Sequence, residues 1–281
     1  MASLHNFVSE GMARLSSGPH SDRAQADAEL LLLHMLGKNK SWLMAHLDEE
    51  LAEYNAARYI ELIERRYKGE PIQYITGETE FYGLPFRVTP DVLIPRPDTE
   101  HLVDKVIELA PIFSKPGIVD VGTGSGAIAI ALAHKLPHAQ IAATDISERA
   151  LAVARENAKR NGVIIRFLPG DLLAPVAGER FEIVVSNPPY VSSRDRATLS
   201  VEVREHEPSL ALFAGDDGLD VYRRLIPAAF DALPPGGFVA LEIGCGQSTA
   251  IAEMLARAGF EQIEYVSDLQ GITRVACARR L

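Results

Sequence analysis

The residues of this chain best equipped for chemistry are Ser186-Asn187-Pro188-Pro189-Tyr190, which follow the apolar run Phe181–Val185. Val, Ile and Phe ahead of two prolines predict a buried strand over Phe181–Ser186 that stops where the prolines begin. A strand ending there sets the Asn187 side-chain carbonyl beside the Pro188 main-chain carbonyl, giving two hydrogen-bond acceptors at one spot. Tyr190 adds an aromatic face that can lie against a flat group. Two adjacent acceptors suit a planar –NH2 on a conjugated system: a carboxamide, an adenine or a guanine. The competing reading is a proline-stiffened turn in which Asn187 serves only as a cap. These five residues alone do not decide between them.

A second cluster is Asp120-Val-Gly122-Thr123-Gly124-Ser125-Gly126, where a predicted strand (Ile118–Val121) meets a predicted helix (Gly126–Lys135). Glycines there let main chain approach a ligand closely. The pattern is G-x-G-x-G rather than the G-x-G-x-x-G of dinucleotide enzymes, and no Lys-Ser/Thr follows to make a phosphate loop. Asp145 ends the next strand, placed to accept from both ribose hydroxyls of an adenosine. Asp171, after the third strand, is placed to accept from the adenine amino group, with Ile146 and Leu172 sandwiching the ring. Each acid alone reads more readily as a loop cap than as a ligand. Together with the glycine loop they predict an adenosine cofactor held without a phosphate grip, which points to S-adenosylmethionine.

The elements that must carry these residues alternate from Gly117 onward. Strands are expected at 118–121, 140–144, 164–168, 181–186, 238–243, 263–266 and 273–278, with helices at 126–135, 147–161, 219–233 and 248–258. Strands separated by helices of this length imply a doubly wound, mainly parallel α/β sheet. The last two strands lack an intervening helix, so one is expected to run antiparallel. Residues 1–72 show helical spacing and predict a small bundle, with His34 and His46 as ordinary packing positions. Residues 73–97 read as a β-hairpin linker: Pro71–Gly77 and Glu80–Val88 are short β-prone runs broken by Gly and Pro. Pro97, Asp98 and Glu100 then suit the first turn of a helix that opens the domain 98–281, with Leu102, Val103 and Val106 as its apolar stripe.

Bulk properties narrow the class. The chain has 281 residues, 47% of them hydrophobic, and a formal net charge of −10. That balance argues against phosphate-driven nucleic-acid binding. Two cysteines, Cys245 and Cys277, make no disulfide framework. The absence of a signal-like N-terminus or long apolar run leads us to expect a cytoplasmic protein without membrane contact. No metal site is expected, because Pro137 breaks the helix that would align His134 with His138.

The segment Asp120–Ile130 resembles motif I of class I (Rossmann-like) S-adenosylmethionine-dependent methyltransferases, and Asn187–Tyr190 resembles the tetrapeptide of those that act on amino groups. With Pro71-Ile-Gln-Tyr-Ile-Thr-Gly77, Ile94-Pro-Arg-Pro-Asp-Thr-Glu100 and Ser186–Val191, the whole chain is similar to the PrmC/HemK family. The resemblance implies methylation of the side-chain amide (N5) of the Gln in the Gly-Gly-Gln motif of class 1 peptide chain release factors, tuning translation termination. It further implies S-adenosylhomocysteine as product, an N-terminal bundle that recognises the partner, and a monomer. The loop Ser192–Ala214 is expected to cover the substrate. An N6-adenine DNA or N2-guanine RNA methyltransferase is the alternative, since a flipped base presents the same –NH2. A dehydrogenase and a non-catalytic cofactor sensor fit less well, the first because of the glycine spacing and the second because it would not need Asn-Pro-Pro-Tyr.

Overall fold

A computed structural model describes residues 2–281. In chain order the helices are α1 Leu4–Leu15, α2 Ala24–Leu36, α3 Lys40–Ala45, α4 Glu53–Tyr67, α5 Ile72–Thr76, α6 Glu100–Leu109, α7 Ala127–Lys135, α8 Glu148–Arg160, α9 Val201–His206, α10 Ser209–Leu212, α11 Asp220–Ala232 and α12 Ser248–Ala258. The strands are β1 Glu78–Phe81, β2 Leu84–Arg87, β3 Gly117–Val121, β4 Gln140–Asp145, β5 Arg166–Pro169, β6 Ile183–Ser186, β7 Phe238–Glu242, β8 Phe260–Ser267 and β9 Thr273–Arg280. The chain divides into two compact units. One comprises the segment up to Gly77 together with Leu199–His206; the other comprises Glu78–Thr198 and Glu207–Leu281.

The first unit is helical because its apolar residues fall on facing stripes. Leu31, Leu32, Tyr59 and Ile63 are buried where α1, α2 and α4 pack. The Tyr59 hydroxyl donates to the Ala28 carbonyl at 3.1 Å, so its one polar atom is satisfied inside the core. Asn39 caps α3 through its side chain, and the left-handed Gly37 ends α2. A buried ion pair crosses this core: Arg66 Nε lies 2.6 Å from Asp27 Oδ2, both side chains nearly inaccessible. Arg66 also reaches Glu202 on the returning segment and donates to the Glu70 carbonyl at 2.9 Å. Removing one member of such a group would leave a buried charge unpaired.

The run Pro71–Gly77, read from the sequence as β-prone, is instead the short helix α5. Ile72 and Ile75 sit three apart and both bury in the helical unit, Pro71 opens the turn, and Gly77 closes it at φ +76°. The hairpin is therefore only β1 and β2, paired antiparallel.

In the second unit seven strands form one sheet in the order β5-β4-β3-β6-β7-β9-β8. Pairing is parallel except that β9 runs antiparallel to both of its neighbours. Successive residues of a strand face opposite layers. Thus Ile118 and Ile183 bury with α6 and α7 on one face, while Val119 and Val184 bury with α11 on the other. Leu102, Val103 and Val106 of α6 are fully buried in the first of these layers. The strand order reverses between β3 and β6, which is where open α/β sheets form a ligand crevice beyond their carboxyl ends. Ser186 is fully buried at that junction, and its hydroxyl donates to the Val121 carbonyl at 2.6 Å. It clamps the end of β6 to the end of β3.

Candidate active site

A cavity of about 270 Å³ opens at this reversal. One wall is the loop after β3. Gly122 and Thr123 N–H groups both donate to the Thr144 carbonyl, at 2.8 and 3.0 Å, which anchors the loop to β4. Gly124 has φ +55°, and a Cβ built on it would meet nothing within 4 Å. Its conformation asks for glycine and its backbone is bare toward the cavity. Gly126 serves differently and does not line the cavity. At φ +83° it turns the chain into α7, and a Cβ there would lie 2.9 Å from Ile130 Cδ1 and 3.2 Å from Ala154 Cβ. Close packing, rather than ligand approach, demands this glycine.

Asp145, at the end of β4, lines the cavity and is held by the main chain. Its Oδ2 accepts from Gly124 N–H and its Oδ1 from Ser147 N–H, both at 2.8 Å. Burial raises its pKa, and these two donors oppose the rise. Each carboxylate oxygen keeps a further lone pair for a ligand hydroxyl. Ile146 is exposed toward the cavity, and Leu172 stands in the same lining. Leu172 holds φ +48°, unusual for a residue with a branched side chain. The Thr144 hydroxyl fixes it by donating to the Leu172 carbonyl at 2.8 Å. Asp171 also lines the cavity but is ion-paired to Arg224 of α11, a partner that strand-end reasoning did not anticipate. Asp120 is fully buried beneath the loop. Its Oδ2 accepts from the Thr123 hydroxyl at 2.6 Å, and burial pushes its pKa up to about 7 despite that bond.

The opposite wall carries the Asn-Pro-Pro-Tyr turn. Asn187 and Pro189 line the cavity; Pro188 and Tyr190 are not among its lining residues. Asn187 Nδ2 donates to the Thr99 hydroxyl at 3.1 Å, so the side-chain carbonyl remains available to accept. Thr99 sits just ahead of α6 and is itself part of the lining. Tyr190 stands behind the turn, and its phenol donates to Glu242 Oε1 at 3.3 Å. Burial raises its pKa, so the phenol keeps its proton and remains a donor. Glu242 ends β7 and is 2% exposed. Burial pushes it up to about 7, opposed by the polar Thr99 side chain nearby and the hydrogen bond from Tyr190.

Of the loop expected to cover a substrate, only the part from Glu207 onward lines the cavity, through Pro208, Leu210, Ala211 and Phe213. Val191 N–H donates to the Leu212 carbonyl at 2.8 Å, and Ala214 N–H donates back to Val191 at 3.0 Å. Arg96, also in the lining, donates to Glu207 at 2.5 Å. Residues 199–206 belong to the helical unit. Thr99, Arg96 and Arg224 are site residues to which sequence reasoning gave no role. Thr99 had one usable signal, a lone hydroxyl residue between Asp98 and Glu100.

These features fit a nucleoside-bearing sulfonium. Bare glycine backbone, a doubly braced carboxylate and two apolar side chains match a ribose and a flat base, and the two arginines of the lining, Arg96 and Arg224, are each paired with an acid. No group of three His, Cys, Asp or Glu among the described residues is arranged to hold a metal ion.

Comparison with known proteins agrees in kind. The PrmC N-terminal domain model matches residues 8–77, and the methyltransferase small domain model matches residues 99–204. A release factor glutamine methyltransferase of Moorella thermoacetica is 45% identical over 280 residues, covering 99% of this chain and 98% of that protein. The corresponding protein of Bacillus subtilis is 43% identical, covering 91% of each chain. Among solved structures, the hMettl16 catalytic domain aligns with a TM-score of 0.57 at 17% identity, covering 82% of each chain. A Pyrococcus furiosus methyltransferase aligns at 0.52 and 22% identity, covering 70% of this chain and 89% of that one. At such identities these structural likenesses speak to fold alone.

Proposed function

The chain belongs to the release factor glutamine methyltransferase family, and from that footing we propose which of its residues carry the reaction and how. The enzyme moves a methyl group from S-adenosylmethionine to the side-chain amide nitrogen of a glutamine in a peptide chain release factor. When bound, that cofactor supplies an electrophilic methyl on a sulfonium. Asp145 takes the ribose hydroxyls, Gly122, Thr123, Gly124 and Ser125 let main chain approach, Ile146 and Leu172 flank the base, and Asp171 accepts from its amino group. Gly126 contributes through the packing that shapes the loop.

A carboxamide nitrogen is a weak nucleophile because its lone pair is shared with the carbonyl. Asn187 Oδ1 and the Pro188 carbonyl each accept one N–H of the glutamine. This fixes the amide plane and raises electron density on nitrogen. Both bonds strengthen as positive charge develops there, which is where stabilisation accelerates the step. Holding the nitrogen in line with the methyl supplies a further part of the barrier reduction. No strong base is needed, since the alkylated amide is acidic and sheds its proton readily. Pro189 stiffens the turn, and Tyr190 supports it from behind.

The observation that carries this reading is the orientation of Asn187: its NH2 is committed to Thr99, leaving a carbonyl as the available end. Near-full-length similarity to release factor enzymes favours a protein substrate over a flipped base, as does the net charge of −10. We further propose that the substrate is the Gln of the Gly-Gly-Gln motif in a class 1 factor. The helical unit grips that factor, and the enzyme works as a cytoplasmic monomer without nucleic-acid contact. The test is to incubate the protein with labelled cofactor and release factor and to map the methylated residue by mass spectrometry. Label on that glutamine, lost when the glutamine is replaced, supports the reading; label elsewhere, or on nucleic acid, overturns it.

A further inference from the structure

The turn Asn187–Tyr190 is gripped at its far end by a side chain that the reaction as described does not use. Neither Pro188 nor Pro189 has an N–H of its own, so the turn is held at its ends. Ahead of it, the Ser186 hydroxyl donates to the Val121 carbonyl at 2.6 Å. Beyond it, Gln247 Nε2 donates to the Tyr190 carbonyl at 3.0 Å and to the Gly218 carbonyl at 3.4 Å. Gln247 Oε1 accepts from Gly244 N–H at 2.9 Å. Two acceptors on one side and a donor on the other leave this carboxamide a single orientation. We propose that Gln247 is a positioning residue: it fixes the main chain at the end of the turn and thereby aims the Pro188 carbonyl at the substrate nitrogen. The proposal rests on the reading of Pro188 as an acceptor.

Local structure does not account for this residue. Gln247 occupies the N-cap position of α12, where Ser, Thr, Asp or Asn would satisfy a free N–H of the first turn, yet its side chain makes no cap bond. The helix forgoes that stabilisation, and the carboxamide serves the turn instead. Two glycines make room for it. A Cβ on Gly218, ahead of α11, would lie 2.3 Å from the Tyr190 oxygen and 3.0 Å from Gln247 Nε2. A Cβ on Gly244, after β7, would lie 2.8 Å from Gln247 Oε1 and 3.1 Å from Tyr190 Cδ2. Gly244 is not among the glycines with positive φ, so space alone calls for glycine there. Both loops leave bare backbone where Tyr190 and Gln247 meet.

Asn187 and Pro189 line the cavity, and Pro188 between them does not. A modest rotation of its peptide therefore decides whether its oxygen meets a substrate N–H. The proline rings fix φ at both positions, which leaves ψ as the soft torsion of each. Turning the Pro188 carbonyl about that torsion moves the chain on one side of it. With Ser186 tied to β3 and the Tyr190 carbonyl tied to Gln247, neither side follows, and the oxygen keeps one direction. The Tyr190 phenol, on Glu242 at 3.3 Å, anchors the same end through the ring, whereas Gln247 holds the main chain. A misaimed acceptor would lengthen a bond that must strengthen as charge develops on nitrogen.

The test compares the full-length wild type with Gln247→Met, Gln247→Glu and Gly244→Ala at about pH 8.5, where a glutamate carboxyl is ionised. Thermal midpoint, cofactor Kd by calorimetry, and kcat and KM on release factor are measured on each. Gln247→Met keeps the length of the side chain and removes both hydrogen-bonding ends. It is expected to lower kcat about 20-fold while KM and cofactor Kd stay within about threefold. Gln247→Glu keeps the acceptor for Gly244 N–H and loses only the donation to Tyr190 and Gly218, so its kcat should fall at least as far. Gly244→Ala keeps every hydrogen-bonding group but presses on the carboxamide, and should lower kcat about fivefold with Kd again unchanged. A folded, cofactor-binding Gln247→Met with kcat within about twofold of wild type overturns the proposal. So does a Gln247→Glu with kcat within about twofold of wild type, since bracing without donation would then suffice. Loss of cofactor affinity in step with kcat also overturns it, by showing a general loosening of the cavity. If neither Gln247 variant folds, Gly244→Ala decides by the same criteria. Failure of the wild type to methylate the glutamine would instead defeat the functional reading, before any variant is compared.

Discussion

The two walls of the cavity are built on different principles. The β3–β4 wall is organised largely by main chain: Gly122 and Thr123 N–H groups donate to the Thr144 carbonyl, and Gly124 N–H donates to the Asp145 carboxylate, so every donor that braces the loop is a main-chain group. The β6–β7 wall is organised by side chains from three separate stretches: Asn187 donates to Thr99, and Tyr190 of the same turn donates to Glu242. The contrast suits the tasks. A wall that recognises a nucleoside needs shape and tolerates few side chains near the ligand. A wall that activates an amide nitrogen, as proposed, needs acceptor oxygens held in fixed directions, here a side-chain and a main-chain carbonyl.

If this division holds, changes on the two walls should separate turnover from cofactor affinity. The largest effect is expected from Asn187→Ala, which should lower kcat roughly 100-fold or more while cofactor Kd stays within about threefold. Stopped turnover assays beside calorimetry on the same sample would show it. Asp145→Ala should do the reverse. Losing a carboxylate that accepts from ligand hydroxyls should weaken cofactor binding about 10- to 100-fold, with a smaller change in kcat at saturation. A variant of either wall that moved both quantities equally would erase the distinction.

Both walls also carry a buried acid that prefers its proton, Asp120 beneath one and Glu242 behind the other. An acid whose folded-state pKa is raised binds its proton more tightly in the folded chain. The folded form is then favoured at low pH and loses stability as pH rises from about 4 through about 7. Exposed acids paired with arginine act oppositely. Asp217, held down to about 2 by Arg223, contributes stability that is lost only as pH falls toward that value. Thermal midpoints should therefore be highest in mildly acidic buffer and decline by several degrees toward pH 8. Asp120→Asn and Glu242→Gln should each flatten that decline. The smallest effect belongs to Arg224→Ala. Its pairing with Asp171 is half-exposed, so its loss should change cofactor Kd by no more than about fivefold.

The same contrast governs how much could be read from the sequence. The glycine loop, Asp145 and Asp171 lie at strand ends within short segments, where residue type and spacing carry the signal. The parallel order and the antiparallel late strand followed from helices present or absent between apolar runs. Thr99 and Asn187 lie 88 residues apart, and only folding brings them to hydrogen-bond distance. Glu242 and Tyr190 lie 52 residues apart, and an acid ending a strand is too common to announce that contact. Gly126 belonged visibly to the glycine loop, yet its reason for being glycine is the approach of Ile130 and Ala154 across the layer. Pro71–Gly77 departs from the expected strand because five residues with two buried isoleucines satisfy a helical turn and a short strand almost equally well, and tertiary burial decides. The loop after Tyr190 could not be divided from sequence, since the break at Leu199 depends on Glu202 meeting the buried Arg66.

The central claim is that the glutamine nitrogen is gripped by Asn187 Oδ1 and the Pro188 carbonyl. A crystal structure with the thioether product and a glutamine-bearing peptide from a release factor tests it most directly. The account predicts the amide nitrogen within about 3.2 Å of both oxygens, with Asn187 Nδ2 still on Thr99. A nitrogen bound to other acceptors, or an Asn187 turned away from the cavity, would contradict it.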